Sequence, residues 1–167
     1  MKQKLSIIKI GGNIIEDQES LSQFLKLFAQ LEGPKILVHG GGKRATEFGR
    51  RLGIESKMVD GRRITDAEML DVVTMVYGGL INKRIVAGLQ ARGCNALGLT
   101  GTDLDLIKAT KRPVGKIDFG FVGDIEDVNP RELRILIDES VVPVIAPITH
   151  DGKGQLFNTN ADTIASE

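Results

Sequence analysis

The sequence predicts an α/β fold, a three-layer αβα sandwich with a mainly parallel central sheet. Three observations carry that prediction. Apolar runs of strand length recur at residues 5–10 (LSIIKI), 35–39 (KILVH) and 141–148 (VVPVIAPI), and such runs suit strands covered on both faces. The first two end in glycine clusters, Gly11-Gly12 and Gly40-Gly41-Gly42, where tight turns can start. Stretches with helical apolar spacing separate them, and strands alternating with helices read as a parallel sheet with helices on both faces.

The elements follow in order. Ser20 can cap a helix whose Leu21, Phe24, Leu25, Phe28 and Leu31 keep helical spacing, with Gly33-Pro34 as its stop. Residues 43–52 form the next helix, closed by Gly53. Residues 58–64 read as a strand or extended loop containing a turn at Asp60-Gly61. Thr65 with Glu68 three residues on has the capping-box pattern. It opens a long helix over 65–91, striped by Met69, Val72, Val73, Val76, Leu80, Ile81 and Ile85. Gly78-Gly79 weakens that helix by roughly 1 kcal/mol per Gly relative to Ala and allows a kink or a close neighbour. Residues 96–99 form a short strand. Residues 104–108 and 119–125 form an antiparallel excursion, with the basic segment 108–116 as a solvated hairpin between them. Asn129-Pro130 starts a helix with Pro130 in its first position and Leu133, Leu136 and Ile137 on its apolar face. Two prolines make the 141–148 strand irregular. Residues 158–167 open a last helix, capped by Asn160, and the chain is expected to stop inside it.

Composition narrows the function classes. A chain of 167 residues, 41% hydrophobic and 26% charged, suits one globular domain with a real core and excludes a disordered chain. Its 22 basic and 22 acidic residues cancel, which argues against a bulk electrostatic grip on nucleic acid or an anionic membrane. The apolar runs are too short to cross a bilayer, and the N-terminal apolar stretch is too short for a secretory signal. The single cysteine, Cys94, excludes an internal disulfide and a cysteine-based zinc site. A cytoplasmic enzyme or binding protein is expected.

The glycine clusters are the candidate site. In a parallel sheet they would lie side by side at one edge, where backbone N–H groups and helix N-termini can donate to carboxylate or phosphate oxygens. A P-loop is excluded, because Gly42-Lys43 is followed by Arg44 and lacks the upstream glycine. Gly40, Gly42 and Ala45 fit a loose dinucleotide fingerprint, but Asp60 precedes a turn glycine instead of ending a strand. Lys9 interrupts an apolar strand directly before Gly11-Gly12. It either snorkels at a sheet edge or reaches over the turn to an anion.

Lys9-Ile10-Gly11-Gly12, His39-Gly40-Gly41-Gly42, Gly61-Arg62-Arg63-Ile64-Thr65 and Asn158-Thr159-Asn160-Ala161-Asp162 occur in the order seen in acetylglutamate kinases. Phe119-Gly120-Phe121-Val122-Gly123 and Val128-Asn129-Pro130 between them are similar too. The resemblance covers residues 4–167 and sits within the broader amino acid kinase family. It implies an amino acid kinase-like sandwich of two lobes. Residues 1–167 would be the N-terminal acylglutamate-binding lobe, the chain ending before the ATP lobe and its second lysine.

The resemblance also implies residue roles. Lys9 would neutralise the transferring phosphoryl group, and Gly11 and Gly12 would donate backbone N–H groups to it. Gly41 and Gly42 would hold the reacting carboxylate. Arg63 would clamp the α-carboxylate, with Arg62 the adjacent alternative, and Asn158 would add a donor. Asp162 would organise the lysines. The implied reaction moves the γ-phosphoryl of ATP to the side-chain carboxylate of N-acetylglutamate, a step in arginine biosynthesis; the sequence does not fix the acyl group, which leaves N-succinylglutamate as the other substrate. Mg²⁺ would arrive with the nucleotide, with no metal site in the chain. A homodimer through the 65–91 helix is expected, with Val76 and Leu80 facing the second copy. The alternatives are another amino acid kinase, or a non-catalytic acylglutamate-binding and dimerising module.

Overall fold

A computed structural model describes residues 4–167. Four parallel strands form the central sheet: β1 (Ser6–Ile10), β2 (Lys35–His39), β5 (Ala96–Thr100) and β8 (Val142–Ala146), in the order β1-β2-β8-β5. Strand pleating sends alternate residues to opposite faces. Leu37 thus joins Ile10, Ala96, Val144 and Ala146 in one apolar cluster, while Ile36 and Val38 join Leu99 and Ile145 in the other. β2 is buried along its whole length.

The first face is covered by α1 (Gly12–Glu16), α2 (Gln18–Gln30), α3 (Gly42–Arg51) and a long rod over Ala67–Gln90. The second is covered by α6 (Pro130–Asp138) and α7 (Ala161–Ser166). That is the expected three-layer order. Asn129 caps α6 with Pro130 in its first turn, and Asn160 caps α7 by accepting from the Asp162 and Thr163 amides.

Two expected caps are corrected. Asp17, not Ser20, caps α2, its carboxylate accepting from the Ser20 amide at 2.7 Å. Asp66, not Thr65, caps the rod, accepting from the Met69 amide at 2.9 Å. Thr65 is fully buried, exchanging backbone hydrogen bonds with Phe119 and Phe121. Its backbone is therefore committed to a bridge and cannot open a helix.

The rod comprises α4 (Ala67–Val73), a π-helical segment (Thr74–Ile81) and α5 (Asn82–Gln90). The glycine pair thus lies inside a π-helical turn that widens the helix without breaking it. The continuous rod is long and apolar enough to cross a membrane by length and composition, which the separate apolar runs did not reveal. Here it is a core helix: Met69, Val72, Val73, Ile85 and Leu89 are at most 1% exposed. Val76 is buried within the protomer too, so it cannot face a second copy; the exposed residues in that stretch are Met75 and Gly79.

A second sheet has the order β10-β9-β6-β7. β6 (Ile107–Lys111) pairs antiparallel with β7 (Gly123–Val128) as expected, though β7 starts later than residue 119. The hairpin of β9 (Ile148–His150) and β10 (Leu156–Asn158) was not anticipated. The 141–148 run divides at Pro147, between β8 in one sheet and β9 in the other. β3 (Met58–Val59) and β4 (Arg62–Arg63) form a small hairpin whose turn, Asp60-Gly61, has positive φ at both residues.

Asp66→Ala should lower stability by about 1 kcal/mol, the usual cost of a lost cap, while Thr65→Ser leaves the rod's N-terminus intact. Urea unfolding of the two variants measures the difference.

Candidate active site

Parallel pairing sets Lys9 beside Val38 and Ile10 beside His39. The turns that follow β1 and β2 therefore meet at the carboxyl end of the sheet, where ligands of open α/β sheets bind. A cleft of about 380 Å³ opens there, and every expected site residue lines it: Lys9, Gly11, Gly12, Gly41, Gly42, Arg63, Asn158 and Asp162.

Lys9 lies on the face of β1 opposite Ile8 and Ile10, the side that α7 covers. Its ammonium meets Asp162 at the start of α7, 2.8 Å from Oδ1 and 3.0 Å from Oδ2. It also hangs over the first glycine turn, 3.7 Å from where a Cβ of Gly11 would stand. The lysine is thus neither a bare snorkel nor a free cation.

The second turn is packed from below. Gly41 has φ +156°, and a Cβ there would overlap Ile81 Cδ1 and sit 3.0 Å from the Tyr77 ring. Among the described residues no side chain caps α3, so its first N–H groups remain open to an anion.

Arg63 is buried and held by the chain itself. Nη2 donates to the Gly42 carbonyl at 2.7 Å and to Thr46 Oγ1 at 2.9 Å, and Nη1 reaches Met69 Sδ at 3.7 Å. Among the described residues these bonds take three of the five guanidinium donors and leave two. Arg62, its neighbour on β4, is exposed and also lines the cleft. Asn158 Nδ2 donates to Thr65 Oγ1 at 3.0 Å. The Phe119–Val122 stretch stitches these parts together: Thr65 bonds Phe119 and Phe121, and the Asn158 amide donates to the Phe121 carbonyl. A Cβ on Gly120, at φ +72°, would overlap the Thr65 carbonyl oxygen, so this stitch requires glycine.

The amino acid kinase family model matches residues 4–167. The chain belongs to that family. It is 64% identical over 167 residues to the acetylglutamate kinase of Phocaeicola vulgatus, covering 100% of this chain and 65% of that protein. It is 42% identical over 165 residues to the acetylglutamate kinase of Methanopyrus kandleri, covering 96% and 64%. The chain thus spans about 65% of the length of the curated relatives it matches. Among solved structures, N-acetylglutamate synthase from Neisseria gonorrhoeae, complexed with coenzyme A and N-acetyl-glutamate, superposes with TM-score 0.78 at 22% identity, covering 99% of this chain and 38% of that one. An isopentenyl phosphate kinase of T. acidophilum gives TM-score 0.59 at 17% identity, covering 96% and 63%. At these identities the structures share the fold.

Among the lining residues of this amino acid kinase cleft that sequence reasoning did not assign to the site are Tyr77 and Arg112. Arg112 was assigned to a solvated hairpin. Its guanidinium is drawn back by Asp124, with Nε 3.0 Å from Oδ1, and lies 5.8 Å from the Phe119 ring. Tyr77 was lost among the apolar stripe; burial raises its phenol pKa, opposed by the neighbouring Arg63. Among the described residues no group of three or more His, Cys, Asp or Glu side chains could hold a metal ion.

His39, beneath the second turn, is fully buried, and burial lowers its pKa from 6.5 to about 4, opposed by a hydrogen bond to the Gly40 carbonyl. As pH falls from 6.5 towards 4, the unfolded chain takes up a proton that the folded ring refuses. The contribution is full above pH 6.5 and declines below it, by up to about 3 kcal/mol in all. Urea unfolding at about pH 7.5 and about pH 5 should show a loss of roughly 2 kcal/mol at the lower pH, and His39→Gln should remove that part of the slope.

Proposed function

We propose that this chain forms the acylglutamate-binding lobe of an acetylglutamate kinase, and that the protein moves the γ-phosphoryl group of ATP to the side-chain carboxylate of N-acetylglutamate. The observation that carries this reading is the meeting, in one cleft, of two open glycine turns with Lys9, Arg63 and Asn158. The identity to proteins named acetylglutamate kinase supports the choice of substrate.

The acceptor is already an anion, so the reaction needs no general base. That agrees with a site whose nearest histidine is buried and uncharged near neutral pH. Catalysis then rests on alignment and on neutralising charge at the transferring group. In this reading Gly41 and Gly42 hold the reacting carboxylate on backbone N–H groups at the head of α3. The two free donors of Arg63 take the α-carboxylate, and Asn158 contributes its remaining amide hydrogen. Lys9 faces the phosphoryl oxygens beside the Gly11 and Gly12 amides, and Asp162 holds its ammonium in place. Asp162 is then an organiser, since its carboxylate already has Lys9 as partner. One carboxylate so engaged does not make a site for a divalent ion; Mg²⁺ would come on the nucleotide. ATP would bind chiefly through chain beyond this lobe. The reading carries a cytoplasmic location and a homodimer packed along the exposed side of the Ala67–Gln90 rod.

Calorimetry with N-acetyl-L-glutamate tests the binding half. Arg63→Ala should weaken affinity about tenfold or more, with Arg63→Lys recovering only part, because an ammonium cannot reproduce the planar fork. In the full-length gene product, Lys9→Ala should lower turnover by roughly two orders of magnitude with a much smaller change in acylglutamate affinity; unchanged turnover would remove Lys9 from the mechanism. For assembly, Met75→Asp should convert the dimer to monomers in sedimentation at micromolar concentration, by placing a charge in an apolar contact. A wild-type protein that sediments as a monomer would end the dimer proposal.

A further inference from the structure

A buried chain of hydrogen bonds runs from the rod to the second glycine turn. Asn82, at the start of α5 and 1% exposed, brings its Nδ2 within 2.9 Å of the Val144 carbonyl and 3.1 Å of His39 Nε2. On the far side of the ring, Nδ1 stands 2.8 Å from the Gly40 carbonyl. Both ends of this chain are carbonyl oxygens, which only accept. Every hydrogen between them is therefore assigned by elimination. The Asn82 amide must turn its NH₂ towards Val144. Its second hydrogen then goes to Nε2, which must accept, and the ring proton must sit on Nδ1 and point at Gly40. Lys83 Nζ, 3.3 Å from Asn82 Oδ1, donates to the oxygen this orientation leaves.

The far end of the chain decides which way a peptide faces. In a trans peptide the C=O and the following N–H point in opposite directions. Pinning the Gly40 carbonyl to the His39 ring therefore turns the Gly41 N–H away from it. That N–H finds no acceptor among the described residues. The Gly40 amide is tied separately to the Ile10 carbonyl at 3.0 Å, so Gly40, the first residue of the turn, is held by both its N–H and its C=O.

We infer that Asn82 and His39 are positioning residues for the Gly40–Gly42 anion turn: Asn82 selects the ring tautomer, and the ring aims the Gly41 N–H at the bound carboxylate. This deepens the acylglutamate reading above and rests on it for the identity of the ligand. Gly98 on β5 belongs to the same device. A Cβ there would overlap Asn82 Oδ1, so the glycine keeps the seat in which the asparagine can face both Val144 and His39.

Nitrogen-15 NMR of the histidines tests the inference in the unaltered protein. His39 should show a protonated Nδ1 and a bare Nε2 at neutral pH; a protonated Nε2 would overturn the proposal without any variant. Asn82→Leu, which keeps the bulk and removes the donor, should shift the Gly41 and Gly42 amide resonances and weaken N-acetyl-L-glutamate binding about tenfold. Gly98→Ala should do the same while retaining the amide. If either variant folds with the His39 tautomer changed and the Gly41 amide and the affinity unchanged, the device does not position the turn. If Asn82→Leu does not fold, Gly98→Ala and the wild-type spectrum still decide. If the wild-type protein does not bind N-acetyl-L-glutamate, the ligand reading fails, and the tautomer and glycine resonances report on the positioning chain alone.

Discussion

The in-register parallel pairing of β1 with β2 is the constraint on which the cleft depends. Ile10 lies beside His39, so both strands end at the same level and their glycine turns share one edge. A register shift by one residue would reverse the facing of every side chain on the shifted strand. Lys9 would then point into the apolar layer of α2 and the rod, away from α7. The register is held by burial: β2 has no solvent-facing side, and each of its residues has a fixed place in one of two apolar clusters or at their polar ends. The first residue, Lys35, satisfies its ammonium on the carbonyls of Phe28, Ala29 and Leu31 at the end of α2. The last, His39, is held beneath the second turn.

Charge is arranged locally in a molecule with none overall. Lys9, Arg62, Arg63 and Arg112 all line one cleft, with Asp162 as its acidic member. Net charge governs bulk attraction, while a concave site focuses the field of the few cations on its wall. Their partners divide the labour. Arg63 gives most of its donors to Gly42, Thr46 and Met69, which rigidifies the guanidinium in the buried wall. Arg112 is drawn towards Asp124 on the neighbouring strand, which stops it from collapsing across the opening.

The rod is the floor of this site as well as the core of the protein. Tyr77 and Ile81 press against Gly41 from its π-helical segment, and Asn82 follows at the first position of α5. A π-turn shifts the register of residues after it relative to those before it. Here the same short stretch therefore supplies both the apolar floor and the buried amide. The glycine pair that looked like a weak point in a long helix allows this local widening.

Much of the fold and most of the candidate site were legible in the residues. Strand-length apolar runs, the glycine clusters after them, the Asn129-Pro130 and Asn160 helix starts, and the Asp60-Gly61 turn are local signals, and local sterics and hydrogen bonding decide them. Lys9 was legible because a charge inside an apolar strand demands a partner. The caps at Asp17 and Asp66 were missed because several adjacent residues can cap, and only packing decides which backbone is free to start the helix. The β9–β10 hairpin was missed because one apolar run serves two sheets. Arg112, Tyr77 and the Asn82–His39 chain lay beyond reading for a different reason. Their meaning comes from where the chain packs, and only the folded packing of the Ala67–Gln90 rod against β2 and β8, and of the second sheet beside them, brings those side chains to the cleft or beneath it.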